Sequence, residues 1–382
     1  MTTLQTILDD AVAAGHAPGM IAAAITPSGK RLTAAAGVRA AGSADAMTLD
    51  TVCWIASCTK AVTSVAALQL VERGLIELDA PVGNHLPLLA APLVLAGFDT
   101  ADKPITRPAT TPITLRHLLT HTSGLAYNFF SADLTRYLAV TGATMPIDAS
   151  PDIPLMFEPG TGWQYGISTD WVGQLVEAVS GQGLDAYVAD HVTGPLGMTD
   201  TGFFPPESQS SRRAAIHTRR EGGGFDLAAF PIPTTPHPSM GGGGLHSTVG
   251  DYLTFLTAIM GGGQAPGGAR ILQPGTVATM GANHTGDLEA GDLKTALPYL
   301  SSDFSPLPGV AKRFGLGFLR NETAVPDGRS AGSLAWAGLA NCYYWADPST
   351  GATGVLFAQL FPFADPKVLQ TFAAVERAVY AA

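Results

Sequence analysis

The chain has 382 residues, 46% of them hydrophobic and 14% charged, with 21 Lys plus Arg against 31 Asp plus Glu and a formal net charge of −10. That length fits one large domain or two intergrown ones with a sizeable core. The acidic balance argues against nucleic acid or an anionic membrane surface as a partner, and the apolar fraction excludes wholesale disorder.

Residues 3 to 15 predict an amphipathic helix with Leu4, Ile7, Leu8, Ala11 and Val12 on one face and Gly15 as its stop. Met20 to Thr26 and Arg31 to Gly37 read as two strands of a hairpin turned at Pro27-Ser28-Gly29. Helices are predicted at Ala61 to Arg73, at Ile113 to Thr120 and at Ser168 to Val179. Thr248 and Asp251 have the spacing of a capping box that opens a helix over Tyr252 to Met260. Leu334 to Ala346 and Gly354 to Leu360 read as strands, and Asp365 to Ala381 as a closing helix. Strands therefore lie at both ends and helices in the middle. The simplest packing joins the terminal strands in one antiparallel sheet, with the central helices as a second domain beside it and a site in the cleft between them. A non-catalytic binding protein would show the same layout.

Cys53, Cys58 and Cys342 form neither a CxxC pair nor a zinc-ligand spacing, and they read as reduced thiols of a cytoplasmic protein. The start MTTLQTILDDAVAA puts Asp9 and Asp10 where a secretory signal needs an apolar core, and no run of about 18 apolar residues offers a membrane span. A soluble protein that is not exported is expected.

Ser57-Cys58-Thr59-Lys60 is the only S-x-x-K in the chain, and it sits at a predicted helix start after the apolar Trp54-Ile55-Ala56. Three residues are nearly one helical turn, so Ser57 and Lys60 face the same way. A helix N-terminus favours negative charge forming on Ser57, and a neutral amine one turn away can take its proton. With 20 Ser and 6 Lys in 382 residues, about 0.3 such matches arise by chance. On the tetrapeptide alone, a helix cap followed by a solvated lysine stays open.

Four further stretches carry chemistry-bearing residues. They are Leu115-Arg116-His117-Leu118-Leu119-Thr120-His121-Thr122-Ser123-Gly124-Leu125, Pro159 to Ser168 around Tyr165, Gly241 to Thr248, and Trp336-Ala337-Gly338-Leu339. With Ser57 and Lys60, their order and contexts resemble the serine β-lactamase-like superfamily. Within it they resemble the family VIII carboxylesterases, relatives of class C β-lactamases and D-Ala-D-Ala peptidases. The resemblance runs from about residue 5 to 380. It implies a β-lactamase/transpeptidase-like fold, α/β plus all-α. Residues 1–57 and 310–382 then form an α/β domain, and residues 58–309 an inserted, mainly helical one.

By the same resemblance Ser57 is the nucleophile, Lys60 the general base and Tyr165 its partner in proton transfer. The backbone N–H groups of Ser57 and Leu339 form the oxyanion hole, where losing one donor typically costs about 3 kcal/mol. Trp336-Ala337-Gly338 matches the W-G-G or K-T-G stretch edging the cleft, which places Trp336 and Gly338 at the substrate. Tyr127 is expected to line the acyl pocket, Asp170 to order the Tyr165 loop, and His121 with His117 to satisfy backbone groups around the cleft. No carboxylate or thiolate near these two histidines completes a metal set, so neither metal nor cofactor is expected. Gly241 to Gly244 lacks the ending of a phosphate loop and reads as a flexible turn.

Ile167 stands where β-lactamases have an asparagine, Trp336 where they have a cationic lysine, and Ala337 replaces a more usual glycine. Apolar surface thus replaces polar recognition, which suits an apolar acyl or alkyl group. The expected function is a carboxylesterase acting through an acyl-enzyme on Ser57, with a small-molecule ester as partner. Weak β-lactamase, peptidase or acyltransferase activity is the nearest alternative, and a non-catalytic binding module with a retained cleft the more distant one. The sequence is silent on oligomeric state.

Overall fold

The computed structural model describes residues 3–145, 153–230 and 240–382. Its centre is an antiparallel sheet of seven strands. In spatial order they are Arg31–Gly37, Gly19–Ile25, Thr353–Phe357, Cys342–Ala346, Leu334–Gly338, Leu319–Asn321 and Lys312–Phe314. The two ends of the chain meet where Ile21 pairs with Phe357 and Ala23 with Val355.

Alternation along the strands shows what covers each face. Tyr343 stacks on Phe372 of the closing helix Pro366–Tyr380 and Trp345 meets it edge-on, at 5.0 and 5.5 Å between ring centroids. Tyr344, pointing the other way, meets Tyr252 of the helix Val249–Met260 at 5.2 Å. The sheet is therefore covered on both faces, which is why Met20 to Ala24 are buried without polar alternation. The N-terminal helix Leu4–Ala13 lies beside the closing helix. Arg219 ties these ends together: its guanidinium donates to the carbonyls of Gly15 and His16, both at 2.7 Å, and to Asp365 at 2.8 Å.

The helix Thr59–Glu72 is buried from Thr59 through Leu70, as expected of a helix with no polar face. It packs against the helix Ser168–Ser180. Three local readings need correction. Leu334 to Ala346 is a hairpin of two strands, because Asn341 adopts a φ of +56° and its amide donates to the carbonyls of Leu360 and Pro362 at 2.7 and 2.8 Å. Ser57 lies in a 3-10 turn, Ala56–Cys58, immediately before the α-helix rather than at its first turn. The capping box at Thr248 closes on one side only. Thr248 Oγ1 accepts from Asp251 N at 3.2 Å, but the Asp251 carboxylate turns away to Asp200 N and Thr201 Oγ1, both at 2.9 Å. Helix Val249–Met260, within the 58–309 range read as helical, lies on the sheet itself.

Since Thr248 satisfies a helix N–H that has no other partner, Thr248→Ala is expected to lower unfolding free energy by about 1 kcal/mol in urea titration, with no change of m-value.

Candidate active site

Ser57 is held by close backbone approach. Ile55 N donates to Leu245 O at 3.0 Å, and Cys58 N closes the turn onto Ile55 O at 3.0 Å. Ala56, between them, has a φ of +44°, a left-handed conformation that costs a non-glycine residue about 1–2 kcal/mol. From the other side comes the strand Leu334–Gly338. A Cβ on Gly338 would lie 2.2 Å from Ile55 O, so only glycine lets this strand reach the turn that carries Ser57. Leu339 follows at once. Neither Ser57 N nor Leu339 N donates to a backbone acceptor, and both residues line the same small pocket. They meet the chemical requirement for an oxyanion site: two unengaged N–H donors beside a serine hydroxyl.

Lys60 is 2% exposed. Its Nζ lies 3.3 Å from Ser57 Oγ, 3.0 Å from Tyr127 OH and 2.6 Å from Gly242 O. Burial disfavours the ammonium and lowers the pKa to about 8, while the Asp170 charge and Cys58 pull it back up. A neutral lysine has two N–H donors and one lone pair. It can donate to Gly242 O and Tyr127 OH and keep the lone pair for the Ser57 proton.

Tyr165 is buried, and its ring lies 4.9 Å beneath Lys60 Nζ. Among the described residues its hydroxyl has no hydrogen-bond partner. Burial raises its pKa, against a smaller downward pull from Ser57 and Trp336. It is thus a neutral phenol close to the reacting atoms. Trp336 packs on it at 4.8 Å. His121 meets it edge-on at 4.9 Å. A Cβ on Gly166 would fall 2.2 Å from Leu125 O, so the Tyr165 loop is pressed against residues 125 and 126.

The structure brings Ser57, Lys60, Tyr165, Trp336, Gly338 and Leu339 together and moves other expected residues elsewhere. Tyr127 is not in the pocket wall: its hydroxyl takes Lys60, and its ring stacks on Phe129 at 4.8 Å. Ile167 turns into the core just ahead of the helix Ser168–Ser180 and does not reach the pocket. Asp170 does not bind the Tyr165 loop, because its carboxylate accepts from Gly242 N at 2.9 Å. His117 does accept from a backbone N–H, that of Thr114 at 3.3 Å. His121 does not follow it: its Nδ1 has no partner among the described residues, and burial with Lys60 nearby lowers its pKa well below the usual value. Its ring packs among Tyr165, Trp163 and Phe314 instead. No group of three His, Cys, Asp or Glu side chains able to hold a metal occurs among the described residues.

The glycine run is more than a flexible turn. Trp54 Nε1 donates to Gly243 O at 2.7 Å and Thr63 Oγ1 to Gly241 O at 2.7 Å, on either side of the Gly242 carbonyl that takes Lys60. Cβ atoms on Gly241 and Gly242 would meet Thr169 O at 2.7 Å and Asp170 Oδ2 at 2.5 Å. The pocket wall also holds Phe129, Phe130, Leu293 and Phe363, which spacing alone does not mark. The adjacency of Phe129 and Phe130 to Tyr127 is the one sequence signal that pointed there. The pocket is small, about 20 Å³, and no charged residue lines it.

A family model described as Beta-lactamase matches residues 4–378, and the chain belongs to that family. It is an enzyme of the serine hydrolase and acyltransferase class built on that fold. It is 34% identical over 348 residues to monacolin J acid methylbutanoyltransferase of Aspergillus terreus (strain NIH 2624 / FGSC A1156), covering 87% of this chain and 83% of that protein. It is 31% identical over 329 residues to lovastatin esterase of Penicillium rubens, covering 80% and 79%. Among solved structures, simvastatin synthase from Aspergillus terreus, a LovD6 mutant, superposes with a TM-score of 0.87 at 32% identity over 99% of this chain and 96% of that one. EstCE1, a hydrolase with promiscuous acyltransferase activity, shares the fold with a TM-score of 0.76 at 21% identity over 98% and 97%. No helix among the described residues is long and apolar enough to cross a membrane.

With Lys60 taking the Ser57 proton in its neutral form, kcat/KM for an ester substrate is expected to fall about tenfold per pH unit below 8 and to plateau above it. Lys60→Ala and Tyr165→Phe should each lose about a hundredfold or more of kcat. A profile that is flat from about pH 6 to 9 would count against Lys60 as base.

Proposed function

We propose that this protein is a carboxylesterase of the family VIII type, which takes a short to medium apolar acyl group from an ester onto Ser57. The observation that carries this is the set Ser57, Lys60 and Tyr165 at the mouth of an uncharged, aromatic pocket. A pocket without cation or amide side chain has nothing to hold a β-lactam carboxylate, whereas its aromatic and aliphatic walls suit an apolar group.

In this reading Ser57 Oγ attacks the ester carbonyl and its proton passes to Lys60. The oxygen that gains charge rests on the N–H groups of Ser57 and Leu339, where preorganised donors are worth about 3 kcal/mol each. The C–O bond to the alcohol breaks as the alcohol takes a proton through Tyr165. Water, deprotonated by the same pair, then releases the acid. This scheme needs no cofactor. Three buried, free thiols fit a reducing, cytoplasmic setting.

A second reading has an alcohol instead of water discharge the acyl-enzyme. It is favoured by the named relatives, since methylbutanoyltransferases stand beside an esterase at similar identity. The two readings share every step up to the acyl-enzyme and differ only in the acceptor.

The wild-type protein is expected to release p-nitrophenol from its butyrate ester, with Ser57→Ala at least about 10⁴-fold slower and equally folded by circular dichroism. An added alcohol that diverts butyrate into a new ester assigns transferase activity; unchanged butyric acid yield assigns hydrolysis. Equal rates in the two proteins would place the nucleophile elsewhere. In the same assay, Phe363→Ala should raise the octanoate-to-butyrate ratio of kcat/KM by about tenfold, because the ring it removes closes one wall of the pocket.

A further inference from the structure

Asp170 lies in the first turn of the helix Ser168–Ser180 and is 8% exposed. A carboxylate this deep needs a reason, since removing it from water is unfavourable without partners. Its Oδ1 accepts from Gly242 N at 2.9 Å. The carbonyl of the same residue, Gly242, accepts from Lys60 Nζ at 2.6 Å. Asp170 and Lys60 thus grip one glycine from its two backbone groups. The contact also selects the residue: a Cβ on Gly242 would stand 2.5 and 3.0 Å from the two carboxylate oxygens.

The groups that face Lys60 come from several elements. Cys58 belongs to its own turn, and His121 to the end of the helix Leu115–Thr120. Tyr127 and Tyr165 come from loops, and Asp170 from the helix Ser168–Ser180. Burial keeps Cys58, Tyr127 and Tyr165 protonated and His121 neutral. Asp170 is the one carboxylate of the set. Burial pushes its own pKa up, and Lys60, the Gly242 N–H and Tyr127 hold it down.

We propose that Asp170 is a positioning residue for Lys60: through the Gly242 peptide it fixes the acceptor that orients the amine, and its negative charge balances the buried ammonium. It touches neither the pocket nor Ser57. Without it the lysine would be neutral over a wider pH range but held less firmly on Ser57. The carboxylate thereby sets the lower pH limit of activity. The inference rests on Lys60 acting as base, and the experiment separates the two.

The test uses the full chain labelled with [13Cε]lysine. The Lys60 resonance, one of six, is identified by its loss in Lys60→Ala. Its NMR titration is followed in wild type, Asp170→Asn and Asp170→Ala, alongside kcat/KM profiles on p-nitrophenyl butyrate. Asparagine is isosteric and still accepts from Gly242 N, so this variant removes the charge and keeps the grip. Its Lys60 midpoint is expected to fall by about one pH unit, and the rising limb of kcat/KM to move with it. Asp170→Ala should show the same fall in midpoint and, in addition, lose about tenfold of plateau kcat, because the Gly242 carbonyl is no longer held. An unmoved or raised midpoint in Asp170→Asn overturns the proposal while leaving the Ser57 reading intact. A midpoint that falls while the kcat/KM limb stays in place upholds the Asp170–Lys60 coupling and overturns Lys60 as base. If the alanine variant does not fold, the asparagine variant alone decides.

Discussion

The structure is organised around a lysine amine kept out of water beside a serine hydroxyl. In water the amine would titrate near 10.4 and would carry a proton throughout the neutral range. Burial brings it to about 8, within reach of physiological pH. Burial alone would leave an unsatisfied cation, so the surrounding backbone and phenols supply acceptors. Gly242 O, Tyr127 OH and Ser57 Oγ fill that requirement. A helix buried along most of its length, from Thr59 to Leu70, is the scaffold that permits it.

Approach distance governs the other half of the site. Two segments some 280 residues apart must touch at the backbone for Ser57 to face Leu339. Gly338 against Ile55 O, and Gly166 against Leu125 O, are contacts that any side chain would block. The left-handed Ala56 is a local strain of the kind that clusters at functional sites. Around this seam, His121 and Trp336 pack on the Tyr165 ring, and Trp163 and Phe314 pack behind these two.

Periodicity and stop signals located most of the elements to within a few residues. The helices at Leu4–Ala13, Ser168–Ser180 and Pro366–Tyr380 have long, strongly patterned faces or clear caps. Reading failed where an exception sat inside a good pattern. Asn341 turns an apolar run into a hairpin through a positive φ and two side-chain hydrogen bonds, neither of which spacing encodes. Asp251 sits at the capping-box position but bonds residues of a different loop.

Ser57 and Lys60 were legible because one helical turn couples them, and Tyr165, Trp336 and Leu339 because their short motifs occur in a characteristic order. What stayed hidden was which backbone groups distant segments bring to the amine. The glycine run is an empty signal until Lys60 and Asp170 are seen on the two sides of Gly242. Tyr127 and Ile167 differ in the same way: nothing local says that one hydroxyl turns to the amine and one aliphatic chain to the core. The sequence by itself determined the type of each candidate group and, to within a turn, its local element, since those follow from residue chemistry and short-range periodicity. Only the tertiary structure decided the protonation of Lys60 and the shape of the acyl pocket, because desolvation and close approach depend on groups far apart along the chain.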